Sequence, residues 1–238
     1  MENMDKKGNS FYDLESVVYS KKRYQGVTRS YTQYFFKRRL SLVLRLLGRI
    51  GGKNLKLLDI GCADGIMTIS IHEHFPEMFS ELVGVDVSSA MIEVARKATS
   101  DPQISFFLKS ETPNKRFDIA LSLGYLSAVI FEDEARFVSD HLKSDGYYIC
   151  ALAGRDSLHR RLKLGNVPYL SDFRAYSEYD KMLRTHFLIV KEIPYGLFVP
   201  KLWSMPFLAR ILQPVFEVFF AHIAPNLFHE KIYLLKLK

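Results

Sequence analysis

The feature that most constrains this chain is a short apolar run, Leu55–Ile60, that stops at Gly61-Cys62-Ala63-Asp64-Gly65. A run that is apolar at nearly every position reads as a strand buried on both faces. Small residues at 61, 63 and 65 let the chain turn sharply and let a ligand approach the backbone closely. Ile66–His74 suits a helix, and a second run, Glu81–Val87, carries Asp86 near its end. Ser88 is a plausible N-cap for a helix from Ser89 to about Thr99, with Ala90, Met91, Val94 and Ala95 on one face. Ile104–Leu108, Phe117–Leu123 and Tyr147–Leu152 read as further strands, Glu132–Leu142 as a helix and Asp145-Gly146 as a turn. Strands alternating with helices at this spacing predict βαβ units and a mostly parallel sheet.

Outside that series, Thr32–Ile50 reads as an amphipathic helix, with Phe35, Leu40, Val43, Leu44, Leu47 and Ile50 on its apolar stripe and Gly51-Gly52 stopping it. Residues 153–176 are polar, rich in Arg and loop-like; Ser177–His186 suits a helix, and Phe187–Ile193 and Lys231–Leu237 suit two last strands. The stretch 194–228 is strongly apolar but carries prolines at 194, 200, 206, 214 and 225. The expected fold is α/β: a Rossmann-like, seven-stranded, mostly parallel sheet with helices on both faces, an N-terminal helical cap and a late apolar insertion. The expected division is a tail and basic cap over 1–54 and a ligand-binding domain over 55–238 that includes the insertion 194–228.

Two cysteines, Cys62 and Cys150, exclude a cysteine-rich metal site and a disulfide framework. They fit a reducing, cytoplasmic setting as small buried hydrophobes. The opening MENMDKKGNS has no apolar stretch after its lysines, so no secretory leader is expected. His72 and His74 lie two apart on the presumed helix and do not share a face, and the other histidines show no ligand spacing; no metal is expected. Net charge is +7. From Ser16 to Leu58 there are eleven Lys and Arg and no acid, which leaves the rest of the chain net negative. Such an asymmetry suits an anionic partner: a phosphorylated substrate, an anionic membrane or nucleic acid.

In an open α/β sheet a ligand sits outside the carboxyl ends of the strands, and an acid at the end of the second strand can accept from both ribose hydroxyls. The turn GCADGI lacks the third glycine of a dinucleotide fingerprint, and no G-x-x-x-x-G-K-[ST] phosphate loop occurs. Asp59 followed by Gly61, Ala63 and Gly65, with alanine where glycine is usual, resembles motif I of the class I S-adenosylmethionine (AdoMet)-dependent methyltransferases. Gly84-Val85-Asp86-Val87-Ser88 with Met91, Phe117-Asp118-Ile119-Ala120 and Leu142–Gly146 resemble later segments of that family, so the resemblance covers roughly residues 55–152. It implies AdoMet as cofactor. Asp59 would orient the methionine amino end, and Gly61, Cys62, Ala63 and Gly65 would lie against it. Asp86 would hold the ribose, and Val87 and Met91 would flank the adenine. Leu123, Gly124 and Tyr125 would face the methyl group. Where the family often has an Asp after the third strand, this chain has Ser110 and Glu111; Ser110, or in its place Glu111, would take the adenine amine. Phe11-Tyr12-Asp13 and Tyr19 resemble the start of ubiquinone- and menaquinone-type small-molecule methyltransferases, whose N-terminal helix covers the cofactor; Tyr19 and Tyr24 would belong to that cover.

An oxygen acceptor must lose a proton, and His159, in the loop after the fifth strand, is the candidate base. Arg155, Arg160 and Arg161 could alternatively hold an anionic acceptor. The longest charge-free run in the insertion, Val218–His229, is 12 residues, below the roughly 20 needed to span a bilayer. Two readings stand for 194–228: a cap packed over the sheet, or an apolar lid touching a membrane or lipid-like substrate. The expected function is methyl transfer to a small or lipid-like acceptor by a cytoplasmic protein, peripheral at the inner face of the membrane in the second reading. The alternatives are methylation of tRNA or rRNA, and a non-catalytic AdoMet-binding scaffold.

Overall fold

The computed structural model describes residues 18–124, 131–162 and 173–238. Along the central strands, burial alternates between two helix layers with the period of two that a pleated strand imposes. Leu57, Ile119, Leu121, Ile149, Ala151, Ile232 and Leu234 face one apolar cluster, while Leu58, Ala120, Tyr148, Cys150, Leu152, Tyr233 and Leu235 face the other. The strands are β1 (Leu55–Ile60), β2 (Phe79–Asp86), β3 (Ile104–Leu108), β4 (Phe117–Leu123), β5 (Leu142–Ala153), β6 (Phe187–Tyr195) and β7 (Glu230–Leu237). They form one seven-stranded sheet in the order β3-β2-β1-β4-β5-β7-β6. β1 to β5 pair in parallel, and β7 runs antiparallel to both β5 and β6.

α1 (Tyr19–Arg23) and α2 (Tyr31–Ile50) precede the sheet; α3 (Ile66–His74) and α4 (Ser89–Ala98) connect β1 to β2 and β2 to β3. α5 (Phe131–His141), α6 (Leu158–Arg161), α7 (Tyr176–His186) and α8 (Pro206–Ile223) follow. Residues of α2, α3 and α4 pack in the first cluster, and those of α5 and α7 in the second. α2 starts where the Ser30 side chain accepts from the Gln33 amide and stops at Gly51, whose φ is 63°. Ser88 caps α4 in the same way through the Met91 amide, as its place in the sequence predicts.

The structure departs from the sequence reading at three places. β5 starts at Leu142, so Asp145-Gly146 lies inside a strand with a register shift rather than in a separate turn. The Arg-rich segment after β5 holds the short helix α6. The proline-rich insertion contains an 18-residue helix, α8. Pro206 occupies its first turn, where no N–H partner is needed, and Pro214 lies inside it at the expense of one backbone bond.

Strand order reverses between β1 and β4. Their carboxyl ends form the crevice where an α/β sheet binds ligands. β5 and β6 end on the same edge, and antiparallel β7 begins there: Glu230 pairs with Ala153 on one side and Tyr195 on the other.

Candidate functional site

The turn after β1 is tied directly to the end of β2. The amides of Gly61 and Cys62 both donate to the Val85 carbonyl, at 2.8 and 3.1 Å. Gly65 closes the turn with φ 79° as the N-cap of α3, and a Cβ there would lie 2.6 Å from the Phe106 ring. Ala63 has φ 50°, a left-handed conformation that costs an L-residue roughly 1–2 kcal/mol. In that conformation its amide donates to Asp86 Oδ2 at 2.9 Å. The Ser88 amide donates to Asp86 Oδ1 at 3.0 Å, so two backbone groups hold the carboxylate at the strand end.

Two more carboxylates gather at this turn. Asp59 is buried, accepts from the Thr68 hydroxyl at 2.7 Å, and is pushed up to about 6 by burial, with the Asp86 charge adding to the rise. Asp64 is buried too: its Oδ2 accepts from the Ser20 amide and hydroxyl, and its Oδ1 has no partner. Neither Asp59 nor Asp64 is ion-paired among the described residues. Buried carboxylates ordinarily find a cation. This arrangement is matched by a ligand that brings positive charge and hydrogen-bond donors.

α1 lies over the turn through Ser20. Tyr19 meets the Arg23 guanidinium, 4.0 Å over its ring. Tyr24 is partly buried against Phe36 and is raised to about 12, chiefly by burial of its hydroxyl; Arg39 opposes the rise, and Asp59 and Asp64 add to it. Cys62 and Met91 are buried, and burial pushes the Cys62 thiol well up, away from nucleophile chemistry. Val87 lies beyond the end of β2 and is exposed, and Ser110 is exposed in the 3-10 turn after β3. Leu108 of β3 pairs with Asp86, which brings Ser110 toward the same strand end. Leu123 ends β4 and Gly124 follows it. Tyr125, like Phe11–Asp13, lies outside the described residues.

The structure also assembles a cluster that sequence spacing did not reveal. Arg39 of α2 is buried, and its Nη2 donates to both oxygens of buried Glu230, at 2.9 and 2.8 Å. Its Nε donates to the Tyr195 hydroxyl at 2.8 Å and Nη1 reaches the Leu123 carbonyl at 3.4 Å; the Tyr195 hydroxyl in turn donates to Glu230. The guanidinium also stands 5.0 and 4.9 Å from the rings of Phe35 and Phe36. Every charge here is answered from within the chain.

Beside this cluster lies an aromatic stack. His159 is packed against His229 with ring centroids 4.3 Å apart, and His229 against Phe35 at 4.7 Å. Tyr31 and Phe198 complete the surround. His159 is therefore a helix residue half-buried among rings, not a side chain of an open loop. Burial, helped by Arg160, lowers its pKa, and burial lowers His229 further. Of the arginines nearby, Arg155 pairs with Glu178 at 3.3 Å, and Arg160 stacks 3.6 Å over the Phe173 ring. Asp64 and Ser20 follow from an N-terminal cover laid over the Gly61–Gly65 turn. Arg39, Tyr195 and Glu230 carry no such local signal, because 156 and 191 residues separate Arg39 from its partners.

Comparisons with known proteins agree with this geometry. A family model described as a methyltransferase domain matches residues 29–186. The trans-aconitate 2-methyltransferase of Escherichia coli is 31% identical over 96 residues, 40% of this chain and 36% of that protein. The ubiquinone biosynthesis O-methyltransferase of Pelagibacter ubique is 25% identical over 131 residues, 48% of this chain and 53% of that protein. The matched stretches thus span between a third and about half of those relatives' length. Among solved structures, the methyltransferase in complex with the Trm112 activator of Haloferax volcanii superposes with a TM-score of 0.67 at 14% identity, covering 95% of this chain and 96% of that one. Geranyl diphosphate C-methyltransferase of Streptomyces coelicolor, solved with S-adenosyl-L-homocysteine, gives 0.62 at 16% identity, covering 86% and 80%. The carboxylates at the ends of β1 and β2, the strand order and the matched family model lead to one conclusion: this chain belongs to the class I AdoMet-dependent methyltransferase family.

Proposed function

We propose that the protein transfers a methyl group from AdoMet to a small, apolar or lipid-like acceptor. The observation that carries this reading is the acid cluster of Asp59, Asp64 and Asp86, whose first two members have no cation partner among the described residues. AdoMet brings an ammonium, a sulfonium and a ribose diol, which is the complement of such a cluster. When bound, it supplies an electrophilic methyl group. Asp59 would take the ammonium. Asp86, oriented by Ala63 and Ser88, would accept from the diol; a carboxylate accepts at about four lone-pair directions, so two amides do not exhaust it. Met91 and Val87 would flank the adenine and Ser110 would accept from its amine. Asp64 ties α1 across the turn, which excludes water and aligns the reactants. Leu123 and Gly124 would border the methyl group.

His159 would take the acceptor's proton on its imidazole. Its lowered pKa keeps the ring neutral, and able to accept, at pH 7. The surround of Tyr31, Phe35, Phe198 and His229 favours an apolar acceptor. An acidic acceptor would need a cation; Arg39 is neutralised by Glu230 and Arg155 is paired with Glu178, which leaves Arg160, beside His159, as the arginine placed to meet one. Similar engagement weakens the nucleic-acid reading of the basic stretch. Arg38, Arg39 and Lys56 are held in ion pairs, and Lys37 donates to the Gly26 carbonyl.

The test is calorimetry with AdoMet, followed by transfer of a labelled methyl group into lipid, aqueous and RNA extracts. Micromolar binding is expected, weakened ~10- to 150-fold by Asp86→Ala, the equivalent of about 1.5–3 kcal/mol for a lost charged hydrogen bond. Gly61→Arg should block it. Label in the lipid fraction supports the proposed acceptor; label in RNA assigns the nucleic-acid alternative. Binding without transfer to any fraction returns the scaffold reading, and absence of binding overturns all three.

A further inference from the structure

α8 is amphipathic the wrong way round for a helix on a water-facing surface. Its buried side chains include Gln213 and Glu217; its exposed ones include Phe207, Ile211, Val215, Val218, Phe219 and Ile223. Phe207 is 72% exposed, Phe219 61% and Ile223 62%. These positions recur about every four residues, so they form one continuous outward stripe. Both inward polar side chains are bonded to the protein, Gln213 through its Nε2 alone. Glu217 pairs with Arg38 of α2 at 3.2 Å and accepts from the amides of Gly196 and Leu197, and Gln213 donates to the Leu197 carbonyl. α8 is thereby pinned flat to the body of the protein by its polar side.

A contiguous apolar stripe of this kind on a soluble surface marks an interaction site. The charge around it indicates which kind. Between Glu192 and Glu230 the only acid is Glu217, which is buried. The exposed charges on α8 and the loop leading into it are Lys201 and Arg210, both cationic. An apolar stripe rimmed by cations and free of exposed carboxylate complements an anionic bilayer surface. At 18 residues α8 is long and apolar enough to cross a bilayer, but its polar face is committed to Arg38 and to the chain after β6, which holds it flat against the body of the protein.

We infer that α8 is a membrane-docking surface: it lies in the plane of an anionic bilayer with the Phe207–Ile223 stripe among the acyl chains and Lys201 and Arg210 at the headgroups. The placement is useful, because consecutive residues of α2 reach both regions, Arg38 holding α8 and Arg39 holding the ends of β4, β6 and β7. The inference stands apart from the proposed methyl transfer, since docking needs neither cofactor nor acceptor.

The test is co-sedimentation of the full chain with vesicles of phosphatidylcholine alone and of phosphatidylcholine with phosphatidylglycerol. Binding is expected to the anionic vesicles and to weaken with salt. Phe207→Ser combined with Phe219→Ser should lower it by about tenfold or more. Lys201→Glu with Arg210→Glu should abolish the preference for anionic lipid. Unchanged thermal unfolding and unchanged AdoMet affinity in these variants show that only the surface was altered. A wild-type chain that stays in solution with both vesicles overturns the inference, as does equal binding by the Phe variant. Concentration-dependent dimerisation lost in the Phe variant assigns the stripe to a second copy and overturns it too.

Discussion

Two groups of buried charge stand at the same edge of the sheet and are built on opposite plans. At the ends of β1 and β2, Asp59 and Asp64 are desolvated with a hydroxyl or an amide for company and, among the described residues, no cation. At the ends of β4, β6 and β7, Arg39 and Glu230 are equally buried but bonded twice to each other, with Tyr195 bridging them. A charge group that must receive a ligand stays uncompensated until the ligand arrives. A charge group that only joins elements together is complete without one. Under the proposed function, that difference separates the group that would bind the cofactor from the group that joins the strands.

The sharpest way to break this contrast is at Arg39. Arg39→Ala leaves Glu230 buried and unpaired, and should lower unfolding stability in urea by about 3–5 kcal/mol. Replacing both partners, Arg39→Met with Glu230→Leu, should recover most of that loss. A single variant of wild-type stability would show that the pair is not closed.

The acid cluster should respond in the other direction. Burial raises Asp59 to about 6, so the folded chain holds a proton there that the unfolded chain has lost. Its contribution to the ligand-free protein therefore worsens as pH rises from about 4 to about 6 and is level above that. Asp59→Asn keeps an acceptor for Thr68 and should stabilise the ligand-free protein at pH 7 by about 1–3 kcal/mol, measured by thermal unfolding. For ligand, the ionised form is the one that binds a cation. Wild-type AdoMet affinity should improve with rising pH by up to about tenfold per unit below pH 6 and flatten above it, and Asp59→Asn should remove the slope. An affinity independent of pH across this range would detach Asp59 from the ligand.

A smaller effect is expected at Ser20. Ser20→Ala removes the hydroxyl from Asp64 and leaves the amide, at a cost of about 0.5–1.5 kcal/mol. Faster proteolysis within residues 18–29, with an intact sheet, would show α1 loosening from the turn.

How much of this could be read in advance depends on how local each signal is. β1 to β5 are announced by apolar runs bounded by turns, because strands covered on both faces tolerate no other composition. The Gly61–Gly65 turn and Asp86 were legible for a similar reason: close backbone approach and a strand-end carboxylate are demands on single positions. α8 was missed because its prolines read as breakers, although one sits where a helix begins and the other is tolerated inside. Its buried Gln213 and Glu217 also reverse the pattern that periodicity searches for. The Arg39 group was illegible because its members have no common local context; Arg39 looked like one more cation in a basic helix. His159 was singled out, but its stacking on His229 depends on how the chain returns to the edge of β7.

That return has a consequence in time as well as space. β5 and β6 never pair with each other; β7 lies between them and is made after both. Until β7 inserts, each of its neighbours presents an open row of peptide groups, and Arg39 has no carboxylate to meet. During synthesis at about 5–20 residues per second, the 191 residues from Arg39 to Glu230 amount to roughly 10–40 s in which the nascent domain is held short of closure. Over that interval the half-finished sheet is where a strand of another molecule could add, so β7 arrives as the seal on the fold.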